Sequence, residues 1–307
     1  MSVRREGTLT PKSGSLSRQI LENLFGEMMS TMRFGLALPY GSARRAAEMA
    51  CLAEEAGWDG CFLGDAIWCE DSMIALAAAA MVTHRIRLGT MIIPAPLRKP
   101  WKVASESVAL DHLSGGRLTL GLGAGAVWMG WQGFPDEVTD AKTRAEMLDE
   151  SIDILTLLYQ RKQFDYDGLH YHLKLTLVDE MYYPPKPVQQ PRIPLWVTGL
   201  WPRKKSMQRV LKCDGVLVEK MNPEGQSEEV TPADIRAIKA YVDANRILTT
   251  PFDIVVGGKT TGLDQAQLQG KLLPWKEAGT TWWIEGLIEE PEERAMERIR
   301  GGPPRLD

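Results

Sequence analysis

The chain has 307 residues, a net charge of −4 and 44% hydrophobic content. That composition suits a globular protein with a large core, and the mild negative charge argues against a nucleic-acid partner. No apolar run reaches the roughly 18 residues that a bilayer span requires, so the expectation is a cytoplasmic protein with no membrane segment.

Residues 1–31 carry basic residues but no continuous apolar stretch of the kind a signal peptide needs, and read as an appended arm. Within it Leu16, Ile20, Leu24 and Met28 fall on one helical stripe. The single domain is expected over 32–307. It opens with "RFGLALP" (33–39), whose apolar residues alternate as in a strand. Helical spacing follows over 43–56 and stops at Gly57. A strand at 60–65 and a helix at 72–83 come next, then a strand at 86–94 that runs into Pro94, Pro96 and Pro100. Segment 101–116 is helical and ends in a double glycine, and 117–125 is a strand that runs into a glycine turn. Met147, Leu148, Ile152, Leu155 and Leu158 mark an amphipathic helix over 142–159.

The rhythm breaks at 163–193. Asp167-Gly168 between alternating segments predicts a β-hairpin, and "YYPPKPVQQPRIP" has too many prolines for a helix. Four more strand-then-helix units follow, with helices predicted at 203–212, 231–244, 264–278 and 290–300. Eight such units with one insertion between units four and five predict a closed (β/α)8 TIM barrel. An open dinucleotide-binding sheet would want G-x-G-x-x-G after the first strand, where this chain has "LPYGSARRA".

Four cysteines, Cys51, Cys61, Cys69 and Cys213, form no C-x-x-C pair and read as free thiols. His170 and His172 are the only histidines spaced to share a strand face, and no metal site is expected from that pair alone.

A barrel of this type places its chemistry at the C-terminal ends of its strands. Those ends deliver Tyr40, then Gly64-Asp65 with Trp68, then Ile93-Pro94, then Gly123, Ala124, Gly125 and Ala126 with Trp128 and Trp131. The later strands deliver Thr198-Gly199, Glu219-Lys220, Gly257-Gly258 and Glu285-Gly286. Strand five is followed by Trp201-Pro202 and three adjacent cations, Arg203, Lys204 and Lys205, with Arg209 further on. Cations at a helix start have the wrong sign for stability, so an anionic partner is expected there. Indoles beside a cationic corner suit a planar ring bearing a phosphate.

The segments "RFGLALP", "AEEAGWDGCFLGDA", "RIRLGTMIIPAPLRKPWKVASESVALDHLSGGRLTLGLGAG" and "PRIPLWVTGLWPRKKSMQRVLKCDGVLV" together resemble the luciferase-like monooxygenase superfamily. "DHLSGGR" followed by "LTLGLGAG" is the most specific part, and the resemblance runs over about 32–300. It implies an oxidoreductase that uses reduced FMN with oxygen, or the deazaflavin coenzyme F-420 as hydride carrier, on a small organic substrate. It also implies a homodimer. A bulge with a non-prolyl cis peptide is implied near Ile92, Ile93 and Pro94, behind the central flavin ring. The turn 123–126 would lie along the ribityl chain, and the segment from Gly199 to Lys205 would hold the phosphate. Three cations plus Arg209 exceed what FMN alone requires, which favours F-420.

Two departures stand out. Many members carry Asp-His after strand two, where this chain has Asp65-Ala66. Some F-420 sugar dehydrogenases place a glutamate after strand four, where this chain has Ala124. The candidates left for proton handling are Asp65, Glu219 and Glu285. Tyr40, Trp68, Trp128 and Trp131 are the candidate substrate walls, with 126–140 read as a lid or substrate wall, or else as a dimer contact. The alternative is a flavin-binding barrel that has lost catalysis. An aldolase or isomerase barrel would want a lysine or paired carboxylates deep inside, where these strands look apolar.

Overall fold

The computed structural model describes residues 32–306; the arm at 1–31 lies outside the described residues. Eight parallel strands close on themselves: β1 (Arg33–Ala37), β2 (Gly60–Leu63), β3 (Arg87–Thr90), β5 (Leu118–Gly123), β8 (Leu195–Trp201), β9 (Gly215–Met221), β11 (Asp253–Gly258) and β12 (Trp282–Gly286). β12 pairs back onto β1 with Ile284 opposite Gly35. Each barrel strand is followed by a helix: α1 (Ala43–Glu55), α2 (Ser72–Val82), α3 (Pro100–Ser114), α4 (Ala141–Tyr159), α5 (Lys204–Val210), α6 (Pro232–Asn245), α7 (Gln265–Ala278) and α8 (Glu292–Arg300). The chain is a TIM barrel, as the strand–helix rhythm predicts.

Local chemistry sets the helix limits. Asp71 accepts from the amides of Met73 and Ile74, capping α2. Thr231 and Asp234 form a reciprocal capping box on α6. α3 ends where Gly115 adopts φ 64°, a left-handed conformation that suits glycine, so the double glycine does stop this helix.

Strand three is shorter than its apolar run. β3 stops at Thr90, a cis peptide joins Met91 to Ile92, and the two-residue β4 (Ile93–Pro94) then pairs with Leu122 and Gly123 of β5. A bulge with a non-prolyl cis bond therefore stands where the resemblance implies one.

The insertion contains an antiparallel hairpin, β6 (Asp165–Asp167) with β7 (His172–Lys174). Its turn is fastened to α4 by the Glu150 carboxylate, which accepts from the amides of Leu169, His170 and Tyr171 at 2.7–3.1 Å. A short β10 (Ser227–Glu228) adds to β9 at the rim.

Helices cover the barrel outside, and three aromatics fill it inside. Phe62 stacks on Trp196 at 5.1 Å, and Trp282 meets both edge-on at 5.6 Å. Opposite residues must be small to admit them: a Cβ on Gly215 would lie 2.4 Å from Trp196. This plug closes the lower barrel, so any ligand on the axis must sit above it.

Candidate functional site

Side chains alternate along each strand, so the plug fixes which residues face the axis. Leu217, Val255 and Ile284 pack with the interior aromatics. Two residues further up, Glu219, Gly257 and Gly286 face the same way, at the mouth. Beside Gly257 and Gly286 the wall is open, since a Cβ there would meet nothing closer than 3.7 and 3.8 Å. Ile92 closes the opposite side and lies against Gly123, where a Cβ would come within 2.8 Å of its Cδ1.

Glu219 has no hydrogen-bond or ion-pair partner among the described residues. Lys220 does not neutralise it: that ammonium points outward to Asp234 at 3.1 Å and Glu228 at 3.6 Å. Glu219 is open to solvent at the mouth, yet the walls crowd out enough water to raise its pKa.

Asp65 is held differently. Its Oδ2 pairs with Arg98 Nε at 2.9 Å and Nη2 at 2.8 Å. Arg98 also binds Asp71 at 2.7 Å, so it ties the loop after β2 to the loop after β3. Burial raises the Asp65 pKa while Arg98 pulls against it. Asp65 is thus committed to its arginine.

Glu285 is a correction. It sits between inward-facing Ile284 and Gly286, so it points outward toward α8 and is fully buried. It accepts from Thr260 N at 2.8 Å, Thr260 Oγ1 at 2.7 Å, Thr261 N at 3.2 Å and Thr261 Oγ1 at 3.1 Å. Arg298 lies at 3.4 Å. Glu285 is a structural clamp and does not reach the mouth.

The basic run also divides. Arg209 turns inward and forms a two-pronged pair with Asp149, Nε–Oδ1 2.6 Å and Nη2–Oδ2 2.9 Å, fastening α5 to α4. It is not free for a ligand. Arg203 is exposed and donates to the Asn222 carbonyl at 3.3 Å. Lys204 and Lys205 are exposed, with no acidic partner among the described residues. Gly199 faces α5 rather than the axis, because a Cβ would come within 2.4 Å of Val216. Its smallness therefore serves helix packing, and the inward residue at that level is Thr198. Trp201, joined to Pro202 by a cis peptide, packs edge-on against Tyr241 of α6 at 6.4 Å and so faces away from the mouth.

The other aromatics separate as well. Trp68 and Trp128 are exposed on the loops after β2 and β5. Tyr40 folds over Gly64, its hydroxyl 2.9 Å from where a Cβ would stand. Trp131 is buried beneath the 123–126 turn, against Gly125 and under the Arg144 guanidinium. It is a core residue of the loop and does not line an open wall.

Two arginines that sequence reasoning passed over organise this end. Arg98 is described above. Arg144, from α4, donates to the carbonyls of Ala124 and Gly125 at 2.8 and 2.6 Å and so holds the turn after β5 in place. Neither belongs to a motif; only the closing of the barrel brings them to their partners.

Among the described residues no cluster of His, Cys, Asp or Glu could hold a metal ion, and no helix is long and apolar enough to cross a membrane. His170 lies 3.1 Å from Glu146 and His172 pairs with Asp167 at 2.6 Å, so the two histidines go to separate partners.

The closed parallel barrel, its axis plugged below and its mouth open above, is the architecture that known relatives share. The Luciferase-like monooxygenase family model matches residues 25–261, and the chain belongs to that family. It is 40% identical over 157 residues to a putative coenzyme F-420-dependent oxidoreductase of Mycobacterium tuberculosis, covering 48% of this chain and 43% of that protein. The chain thus spans less than half the length of that relative. An F-420-dependent secondary alcohol dehydrogenase solved with an F-420–acetone adduct shares the fold with a TM-score of 0.70 at 14% identity, over 90% of this chain and 99% of that one. An FMN-bound Type II Baeyer–Villiger monooxygenase from Pseudomonas putida gives a TM-score of 0.58 at 20% identity, over 79% of this chain and 71% of that one.

Proposed function

We propose that the barrel mouth binds coenzyme F-420 and that the protein moves a hydride between it and a small organic substrate. The observation that carries this reading is the pair of cations without an acidic partner among the described residues, Lys204 and Lys205, at the start of α5 just past β8. The name of the Mycobacterium tuberculosis relative supports the same cofactor. FMN is the second reading, favoured by the FMN-bound structure that shares the fold.

The residues present fit a flat ring with an anionic tail. Gly257 and Gly286 leave the inner wall open where a side chain would otherwise intrude. Ile92 offers an apolar face on the other side. When bound, the deazaflavin supplies a carbon that carries a hydride, chemistry no side chain can provide. The protein's own work is to bind, orient and handle the proton. Lys204 and Lys205 attract the anionic tail, with Arg203 beside them. Arg144 fixes the turn 123–126 along which the cofactor is expected to lie. Glu219 holds the proton: a carboxyl with a raised pKa keeps it nearer neutrality and can pass it to a substrate oxygen or nitrogen. Asp65 orients the β2 loop through Arg98. Trp68 and Trp128 offer apolar faces to a substrate at the rim.

The test is equilibrium binding of F-420 and of FMN, side by side, at two salt concentrations. Tight, salt-sensitive F-420 binding that drops about tenfold or more in Lys204→Glu/Lys205→Glu supports the proposal. Preference for FMN moves the protein to oxygen chemistry. Binding of neither cofactor leaves the family likeness one of fold alone.

A further inference from the structure

Outside the barrel, the proline-rich segment of the insertion roofs a second cavity of about 310 Å³ against α3 and α4. It shares no residue with the mouth. Trp101 and Val108 of α3, Tyr159 of α4, and Tyr182 and Tyr183 of the roof give it a mainly apolar lining with four aromatic rings. The volume is at the lower end for small-molecule sites, which begin near about 300 Å³.

Its charge is one-sided. Lys102 and Arg161 line it, and no Asp or Glu does. Neither cation is in an ion pair among the described residues. Arg161 is also the one non-glycine residue with positive φ among them, at 54°, directly past the end of α4. Glycine fits that left-handed position after a helix without cost, and an arginine does not. The strained backbone is held where the Nε donates to the Pro184 carbonyl of the roof at 3.0 Å, an arrangement that leaves both Nη groups uncommitted. A residue held with strained backbone at the edge of an apolar cavity, its guanidinium half uncommitted, is a reason to look for what it binds.

We propose that this cavity is a second ligand site, for a flat aromatic carboxylate of one or two fused rings. The rings lie against the aromatic lining and the carboxylate meets Arg161 and Lys102. Guanidinium matches a carboxylate with two parallel hydrogen bonds, which selects an acid over a neutral molecule of the same shape. The site stands on its own residues and is independent of the cofactor assigned to the mouth.

The experiment is calorimetric titration of the full chain with 2-naphthoate and with its neutral analogue 2-naphthalenemethanol. Saturable binding of the acid, with the alcohol weaker by about tenfold or more, is expected. Arg161→Gln should weaken the acid by a similar factor and leave the alcohol unchanged. Ser105→Trp, which fills the cavity from α3, should abolish binding of both. Glu219→Gln, at the mouth, should change neither. If Ser105→Trp fails to fold, the Arg161→Gln comparison decides the matter alone, since that side chain is exposed. Absence of saturable binding, equal affinity for acid and alcohol, or indifference to Arg161→Gln would each overturn the proposal.

Discussion

Glu285→Gln isolates the difference between a catalytic carboxylate and a structural one. The native carboxylate is fully buried and accepts from two threonine amides and two threonine hydroxyls, with Arg298 at 3.4 Å. An amide of the same shape can keep its oxygen toward the Thr260 and Thr261 amides. Its nitrogen then faces the Thr260 hydroxyl, which must give up its own donated bond. Arg298 also loses its buried counter-charge, though it keeps its bond to the Gly302 carbonyl at 2.7 Å. One lost hydroxyl–carboxylate bond and one weakened contact with Arg298 sum to about 2–3 kcal/mol of lost stability. Glu285→Ala also strands both amides, and about 4 kcal/mol is expected. Urea unfolding measures this, with an unchanged slope showing that the transition stays two-state. F-420 affinity of the folded variant should match the parent. A loss under about 0.5 kcal/mol in the Gln variant, or lost cofactor binding at unchanged stability, would refute the outward clamp.

Three further outcomes follow from the site. Glu219→Gln should act in the opposite sense to Glu285→Gln. The folded-state pKa of Glu219 is raised, so its ionised form is disfavoured on folding, and native stability falls as pH rises from the unfolded carboxyl pKa through the folded one. The Gln variant should lose that part of the pH dependence and be no less stable than the parent at neutral pH, which thermal melts at several pH values will show. In the direction that needs a proton donor, its turnover should be low and flat where the parent's declines with rising pH. Arg209→Gln should cost about 1–2 kcal/mol through the Asp149 pair and leave cofactor affinity alone; a selective loss of binding would return Arg209 to the ligand site. Gly257→Leu places a side chain in the open mouth, so F-420 affinity should fall by about tenfold or more while stability shifts by less than about 1 kcal/mol, and equal affinity would move the ring elsewhere.

Much of the architecture was written locally. Period-two and helical spacing, the double glycine after α3 and the prolines after strand three mark out all eight units, and Asp167-Gly168 marks the hairpin. These features act within a few residues of chain, so they survive in a linear reading. The pair of lysines after β8 was visible for the same reason: three like charges in a row need an explanation wherever the chain goes.

The direction of each side chain was not legible. Glu219 and Glu285 each follow an apolar run near the end of a barrel strand, so the linear sequence treats them alike. In a parallel barrel each strand is covered by helices outside and by the plug inside, so both faces are apolar and the alternation that reveals an inward face is erased. Only closure of the sheet, with Trp196, Trp282 and Phe62 on the axis, makes Glu219 inward and Glu285 outward. Gly199 and Trp201 were placed at the ligand for want of that parity, and each packs on the helix side. Arg98 and Arg144 find their partners only after the chain returns across 33 residues to Asp65 and 20 to Ala124. The units, their order and the family are legible in the linear chain. The tertiary structure alone decided which face of each strand meets the mouth, because that choice depends on how eight strands close around three aromatic rings.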